Sequence, residues 1–196
     1  MMPLPTCKYI PQPKFEHVPI DMHGMSAAEQ IAYDWNHAPC YRIIEGWIIT
    51  LDDGTQIVFP KGFVTDFASI PRLLHPMILP DGALYLGAIP HDFGYQHGYL
   101  LTPYVVGATY PAESWDLYSL DLKAFGPYMP IYVGEPQVFF DELLRAITIT
   151  ATGATVQAEE AYAALRLAGS IAWDNYREKG PGAYGQNSLG LPGVIA

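Results

Sequence analysis

The chain predicts an α+β fold: a small antiparallel β-hairpin or sheet packed against several helices, with extended N- and C-terminal arms. Three observations carry this. Residues 41–59 are rich in β-formers and broken by Asp53-Gly54. Residues 155–177 repeat apolar side chains at helical three-and-four spacing. Both ends are rich in Pro or Gly and poor in periodicity. The organisation expected is an extended arm over residues 1–25, one domain over 26–178, and a Gly/Pro-rich arm over 179–196.

In the first arm, Pro3, Pro5, Pro11, Pro13 and Pro19 disfavour helix and favour extended chain. Ser26-Ala27-Ala28-Glu29 reads as a capping box that opens a short helix through Tyr33 and Trp35. Tyr41 to Thr50 reads as a strand. Asp53-Gly54 supplies a tight turn, because Gly accepts a positive φ, and Thr55 to Phe59 is the return strand, ended by Pro60. Residues 62–72 should leave the sheet as a loop, since Pro71 pushes Ile70 out of helical geometry.

Ala83 to Tyr95 reads as helix interrupted at Pro90. A new helix starting there would put His91 and Asp92 in its first turn, where Pro costs no hydrogen bond. Residues 99–134 are rich in Tyr, Pro and Gly and read as an insertion with a short helical piece near Glu113 to Phe125. Its Tyr104, Tyr110, Trp115, Tyr118, Tyr128 and Tyr132 suit a surface that becomes buried against partners. Glu135-Pro136 opens a helix through Phe139, Phe140, Leu143, Leu144 and Ile147, closed by the Thr-rich stretch before Gly153. Thr155 to Arg177 is the longest helix, and Gly169 in it implies close packing on another element.

Composition narrows function. The 196 residues suffice for one domain with a real core, and a 50% hydrophobic, 15% charged chain is not disordered. A net charge of −10 repels a phosphate backbone, so general nucleic-acid binding is not expected. Cys7 and Cys40 have no CxxC spacing and read as free thiols of a reducing cytoplasm. No apolar run reaches membrane-span length, and the start lacks a signal-peptide pattern, so synthesis in a cytoplasm is expected.

The run Gly62-Phe63-Val64-Thr65-Asp66-Phe67-Ala68-Ser69-Ile70-Pro71-Arg72 sets an acid, two hydroxyls and a guanidinium among apolar residues, followed by His91-Asp92 and Tyr95. Polar groups are costly to bury unless paired, so such a run points to a polar cluster. The candidate groups are Asp66, Ser69, Arg72, His91 and Asp92 for catalysis, and Asp66, His91, Asp92 and Asp141 for a divalent metal. Imidazole and carboxylates suit Zn, Mn or Fe, which would make hydroxide for hydrolysis. His75 and His97 are further candidate ligands. The competing reading is a structural network in which Asp66 bonds its own loop, Arg72 clamps Asp66 or Asp92, and His91 bonds a carboxylate. Asp141 reads first as a helix-dipole residue of a first turn. Ser69 lacks a GxSxG elbow, and neither a P-loop nor a dinucleotide fingerprint is present.

The segments GFVTDFASIPR and HDFGY resemble the family catalogued as domain of unknown function 1353, found in bacteriophages and in bacteria carrying prophages. FDELL at residues 140–144 and Ala172-Trp173 extend the resemblance more loosely. It implies a phage context and a candidate site, without a reaction. His91-Asp92 is also similar, in two letters only, to the dyad of HD-type phosphohydrolases. The expectation is a virion component, a tail- or capsid-associated subunit made in the host cytoplasm. It would contact other phage structural proteins through its arms and Tyr-rich insertion, in an oligomeric assembly. The alternative is a phage metal-dependent hydrolase acting on peptidoglycan or a phosphoester.

Overall fold

The computed structural model describes residues 7–19, 22–30, 40–67, 82–103 and 128–178. Its strands are β1 (Cys7–Tyr9), β2 (Phe15–His17), β3 (Tyr41–Ile43), β4 (Trp47–Leu51), β5 (Gln56–Phe59), β6 (Val64–Thr65), β7 (Leu100–Pro103) and β8 (Tyr128–Ile131). They form two antiparallel sheets, one in the order β1-β4-β5-β7-β8 and one in the order β2-β3-β6. Among the described residues, residues 27–30 are helical and three longer helices accompany the sheets: α1 (Tyr85–His97), α2 (Gln137–Thr152) and α3 (Thr155–Glu178). The class is α+β, as the sequence predicts.

The hairpin forms where expected. Trp47 faces Phe59 and Ile49 faces Ile57 across the ladder, and Trp47, Ile49 and Leu51 are buried on one face while Ile48 is exposed. This is the two-residue alternation of a half-buried strand. Gly54 takes φ +88°, and the Asp53 carboxylate accepts the Thr55 N–H at 2.8 Å.

The stretch 41–50, expected as one strand, divides between the sheets. The Ile43 N–H donates to the Phe63 carbonyl and the Ile44 N–H to the Lys14 carbonyl, so β3 joins the second sheet before β4 begins the hairpin. Within residues 7–19, two short strands are built into the sheets. β1 pairs with β4, and β2 pairs with β3. The capping box forms reciprocally: the Ser26 N–H donates to the Glu29 carboxylate at 2.7 Å, and the Glu29 N–H donates to the Ser26 hydroxyl at 3.3 Å. Tyr33 and Trp35 lie outside the described residues, as do residues 104–127 and 179–196.

α1 is the core of the molecule. Leu86 to Tyr95 and His97 are all buried in it. It packs most extensively on α2 and also meets α3, β6 and β7. Pro90 lies inside this helix rather than at the start of a new one. His91 and Asp92 are therefore mid-helix residues, which corrects the first-turn expectation. An internal Pro costs about 3 kcal/mol through a lost hydrogen bond and a ring clash. Here the burial of nearly every α1 side chain offsets that penalty, so tertiary packing overrides the local preference.

α2 follows Pro136, which is extended at φ −70° and ψ 161°, and ends at Gly153 with φ +71°. An αL residue just past the last turn commonly ends a helix. α3 lies along α2 and α1. Phe59, Phe63, Phe93 and Phe140 fill the space between helices and sheets, with Phe63 and Phe93 ring centroids 5.0 Å apart. Cys7 is a free thiol, and burial pushes it up to about 11. No helix among the described residues is long and apolar enough to cross a membrane.

Candidate functional site

Three glycines bring three helices close enough for a charged cluster to close between them. A Cβ on Gly87 of α1 would lie 2.4 Å from the Leu144 carbonyl oxygen of α2, and one on Gly94 would lie 2.0 Å from Cδ1 of Phe140. Gly87, His91 and Gly94 follow one another at helical spacing, so one face of α1 presents two glycines with an imidazole between them. On α3, a Cβ on Gly169 would come 2.6 Å from the Tyr95 hydroxyl and 2.7 Å from Nε2 of Gln137.

The cluster that results is continuous. His91 Nδ1 lies 3.2 Å from Oδ1 of Asp92, and Nε2 lies 3.2 Å from Oδ1 of Asp141. Tyr95 donates its hydroxyl to the same Asp141 oxygen at 2.7 Å, and its ring lies over His91 at a centroid distance of 4.0 Å. Arg166 of α3 donates Nη1 to Oδ2 of Asp141 at 2.7 Å, and Gln137 reaches that oxygen at 3.3 Å and the Tyr95 hydroxyl at 2.8 Å. At the other end, Thr65 donates its hydroxyl to Oδ2 of Asp92 and accepts the Phe67 N–H at 3.0 Å. His91 and Asp141 are 0% exposed and Asp92 2%, while the Arg166 side chain is 38% exposed.

Charge balance explains how carboxylates survive at such depth. Both nitrogens of His91 face carboxylate oxygens, which only accept, so each nitrogen must carry a proton. Burial favours the neutral ring, but the bonds from Asp141 and Asp92 outweigh it and the pKa is pushed up to about 9. Burial also acts against ionised Asp141, yet bonds from His91, Tyr95 and Arg166 hold it below its ordinary value. Its bond to Asp141 in turn raises Arg166. Burial, reinforced by the Asp141 charge, raises Tyr95, so it stays a hydroxyl donor. Two carboxylates are thus matched by one imidazolium and one guanidinium.

Of the residues singled out from sequence, His91, Asp92 and Asp141 come together. The expected pairing of Asp66 with His91 does not form: the partners of His91 are Asp92 and Asp141. Strand parity gives the reason. Successive side chains alternate in direction, and at β6 the inward one is Thr65, at 1% exposure, while Asp66 is half-buried. The dipole reading of Asp141 is also corrected, because it is the fifth residue of α2, with its carboxylate turned to α1 and α3. Ser69, Arg72 and His75 lie outside the described residues. His97 is buried against the rings of Phe93 and Tyr99. The supposed metal set does not assemble: among the described residues no group of three or more His, Cys, Asp or Glu side chains could hold a metal ion.

Sequence reasoning missed Thr65, Gln137 and Arg166, and gave Tyr95 no role. One signal was present: Gln137 and Asp141 are four apart, the spacing that stacks two side chains on one helix face. Thr65→Val should cost about 1.5–3 kcal/mol, because it removes a donor from a buried carboxylate at similar volume. Urea denaturation of both proteins measures this, and equal midpoints would mean that the bond is immaterial.

No curated protein and no solved structure matches the chain. Gln137, Asp141 and Arg166 lie beyond the stretch that a family model does match, whereas Thr65, His91, Asp92 and Tyr95 lie within it. That stretch, residues 41–113, runs from β3 past β7 and matches the model described as "Protein of unknown function (DUF1353)", the family that the GFVTDFASIPR and HDFGY segments resemble.

Proposed function

We propose that the chain is a bacteriophage virion component, a tail- or capsid-associated structural subunit, and that its charged cluster braces the fold and catalyses no reaction. The observation that carries the second half is the enclosure of His91. Its ring has no exposed surface, and both nitrogens are committed to carboxylates. A general base needs a free lone pair within reach of substrate. This imidazole offers none, and its pKa of about 9 keeps it protonated at neutral pH. The cluster instead links β6, through Thr65 and Asp92, to α1, α2 and α3.

The phage half rests on the family resemblance. In this reading the chain is made in the host cytoplasm, assembles into the particle, and meets other phage structural proteins through its ends and its Tyr-rich insertion. Quantitative mass spectrometry of purified particles tests it. A fixed copy number relative to the major shell protein, retained through a high-salt wash, is the expected result. Recovery only in the soluble host fraction would overturn it. The competing hydrolase reading requires a bound divalent metal, so elemental analysis of the native chain and of His91→Gln separates the two. Stoichiometric metal lost in a folded His91→Gln protein would favour the hydrolase.

A further inference from the structure

The outward face of α3 carries an apolar stripe with bare carboxylates at both ends. Leu167 is 86% exposed, Ile171 70% and Val156 66%, the three most exposed large hydrophobic side chains among the described residues. On a helical wheel they share one face with Ala163, Glu160 and Asp174, all exposed. Glu160 and Asp174 bracket Ala163, Leu167 and Ile171, about 21 Å apart along the axis from the helical rise per residue. Neither carboxylate has a partner among the hydrogen bonds and ion pairs of the described residues. Two cations of the packed helices, Arg166 and Arg145, are used elsewhere. Arg166 is bonded to Asp141, and Arg145 pairs with Glu159 while lying over the Tyr162 ring.

We propose that this face of α3 docks an amphipathic helix of a different protein, one with an apolar seam flanked by Lys or Arg. The inference is independent of the virion reading. Charge selects the occupant. A second copy packed antiparallel about Leu167 would set Glu160 against the other copy's Asp174, and a parallel copy would set each carboxylate against itself. Like charges placed together across an interface are unfavourable, so the face rejects its own copy and favours a basic partner. The apolar centre supplies the contact area, read through i, i+4 anchors as in other helix-on-helix recognition.

A diazirine amino acid placed at position 163 of the full chain, photolysed during native expression, tests this directly. The expected product is a cross-link to a peptide of another protein that carries apolar residues at helical spacing and at least two flanking basic residues. Its yield should fall about tenfold or more when Glu160→Lys and Asp174→Lys are combined, and similarly in Leu167→Glu. All three positions are exposed, so far-UV circular dichroism should show an unchanged fold. A cross-link to a second copy or to residues 179–196 of the same chain would overturn the proposal. So would no cross-link, or one indifferent to the charge reversal.

Discussion

Removing the imidazole at position 91 should destabilise the fold by about 3–5 kcal/mol at pH 6.5, because His91→Ala leaves the buried Asp92 and Asp141 carboxylates without the cation they share, and Arg166 bonds only Asp141. His91→Gln should cost less, since an amide can still donate to one carboxylate. The pH dependence identifies the mechanism. The folded pKa of about 9 lies above the ordinary value of 6.5, so the native state holds the proton more tightly than the unfolded chain. That contribution is fully present below the unfolded value and is lost as pH rises through the folded one. Between pH 6.5 and 8.5 the loss should be about 2 kcal/mol, from the energy per pKa unit. Asp141 acts in the opposite sense: its depressed pKa stabilises above the ordinary carboxylate value and fails as pH falls through the folded one. Stability should therefore peak in mildly acidic solution. Keeping below pH 8.5 avoids the thiols of Cys7 and Cys40, both raised by burial. Urea titrations at several pH values measure the slope. His91→Ala should lie flat across this window, and a flat wild type would show that the ring is neutral in the folded protein.

The parts of this fold legible in the sequence are those that local chemistry decides. Asp53-Gly54 forces a turn whatever surrounds it, and Gly153 closes α2 through a left-handed φ. His91 and Asp92 stand out because polar pairs are rare in apolar runs. What escaped reading depends on a third element. Whether Asp141 serves a helix dipole or a buried imidazole depends on which side of α2 faces α1, and sequence spacing leaves that open. Arg166 sits between Leu165, fully buried, and Leu167, largely exposed, so its direction follows from how α3 is rotated on the core. Thr65 rather than Asp66 enters the cluster through a one-residue choice of strand parity, which is set by pairing with β3. Pro90 misled for a related reason. Its local penalty is real, but burial of the whole helix exceeds it.

Adding one methyl group at Gly94 should be among the most damaging single changes to this protein. A Cβ there would stand 2.0, 2.4 and 2.6 Å from three ring carbons of Phe140. That ring cannot swing away easily, because it is fully buried with Phe139 at 5.3 Å and Trp173 at 5.7 Å between centroids. Relief must come from α1 and α2 moving apart. Such movement stretches the 3.2 Å contact between His91 and Asp141, since Asp141 directly follows Phe140. Overpacking alone costs typically about 1–3 kcal/mol. Gly94→Ala should reach at least the top of that range, because it loosens a buried ion pair as well. The same strain should shrink the alkaline pH slope that His91 gives the wild type. Phe140→Leu in the Gly94→Ala background removes the clashing edge. The double variant should be more stable than the sum of the two single losses by about 1 kcal/mol or more, the signature of contacting residues. A Gly94→Ala protein within about 0.5 kcal/mol of wild type, the range of neutral surface changes, would mean that the helices are not held at this distance. The charged cluster would then owe its geometry to something other than the glycine face of α1.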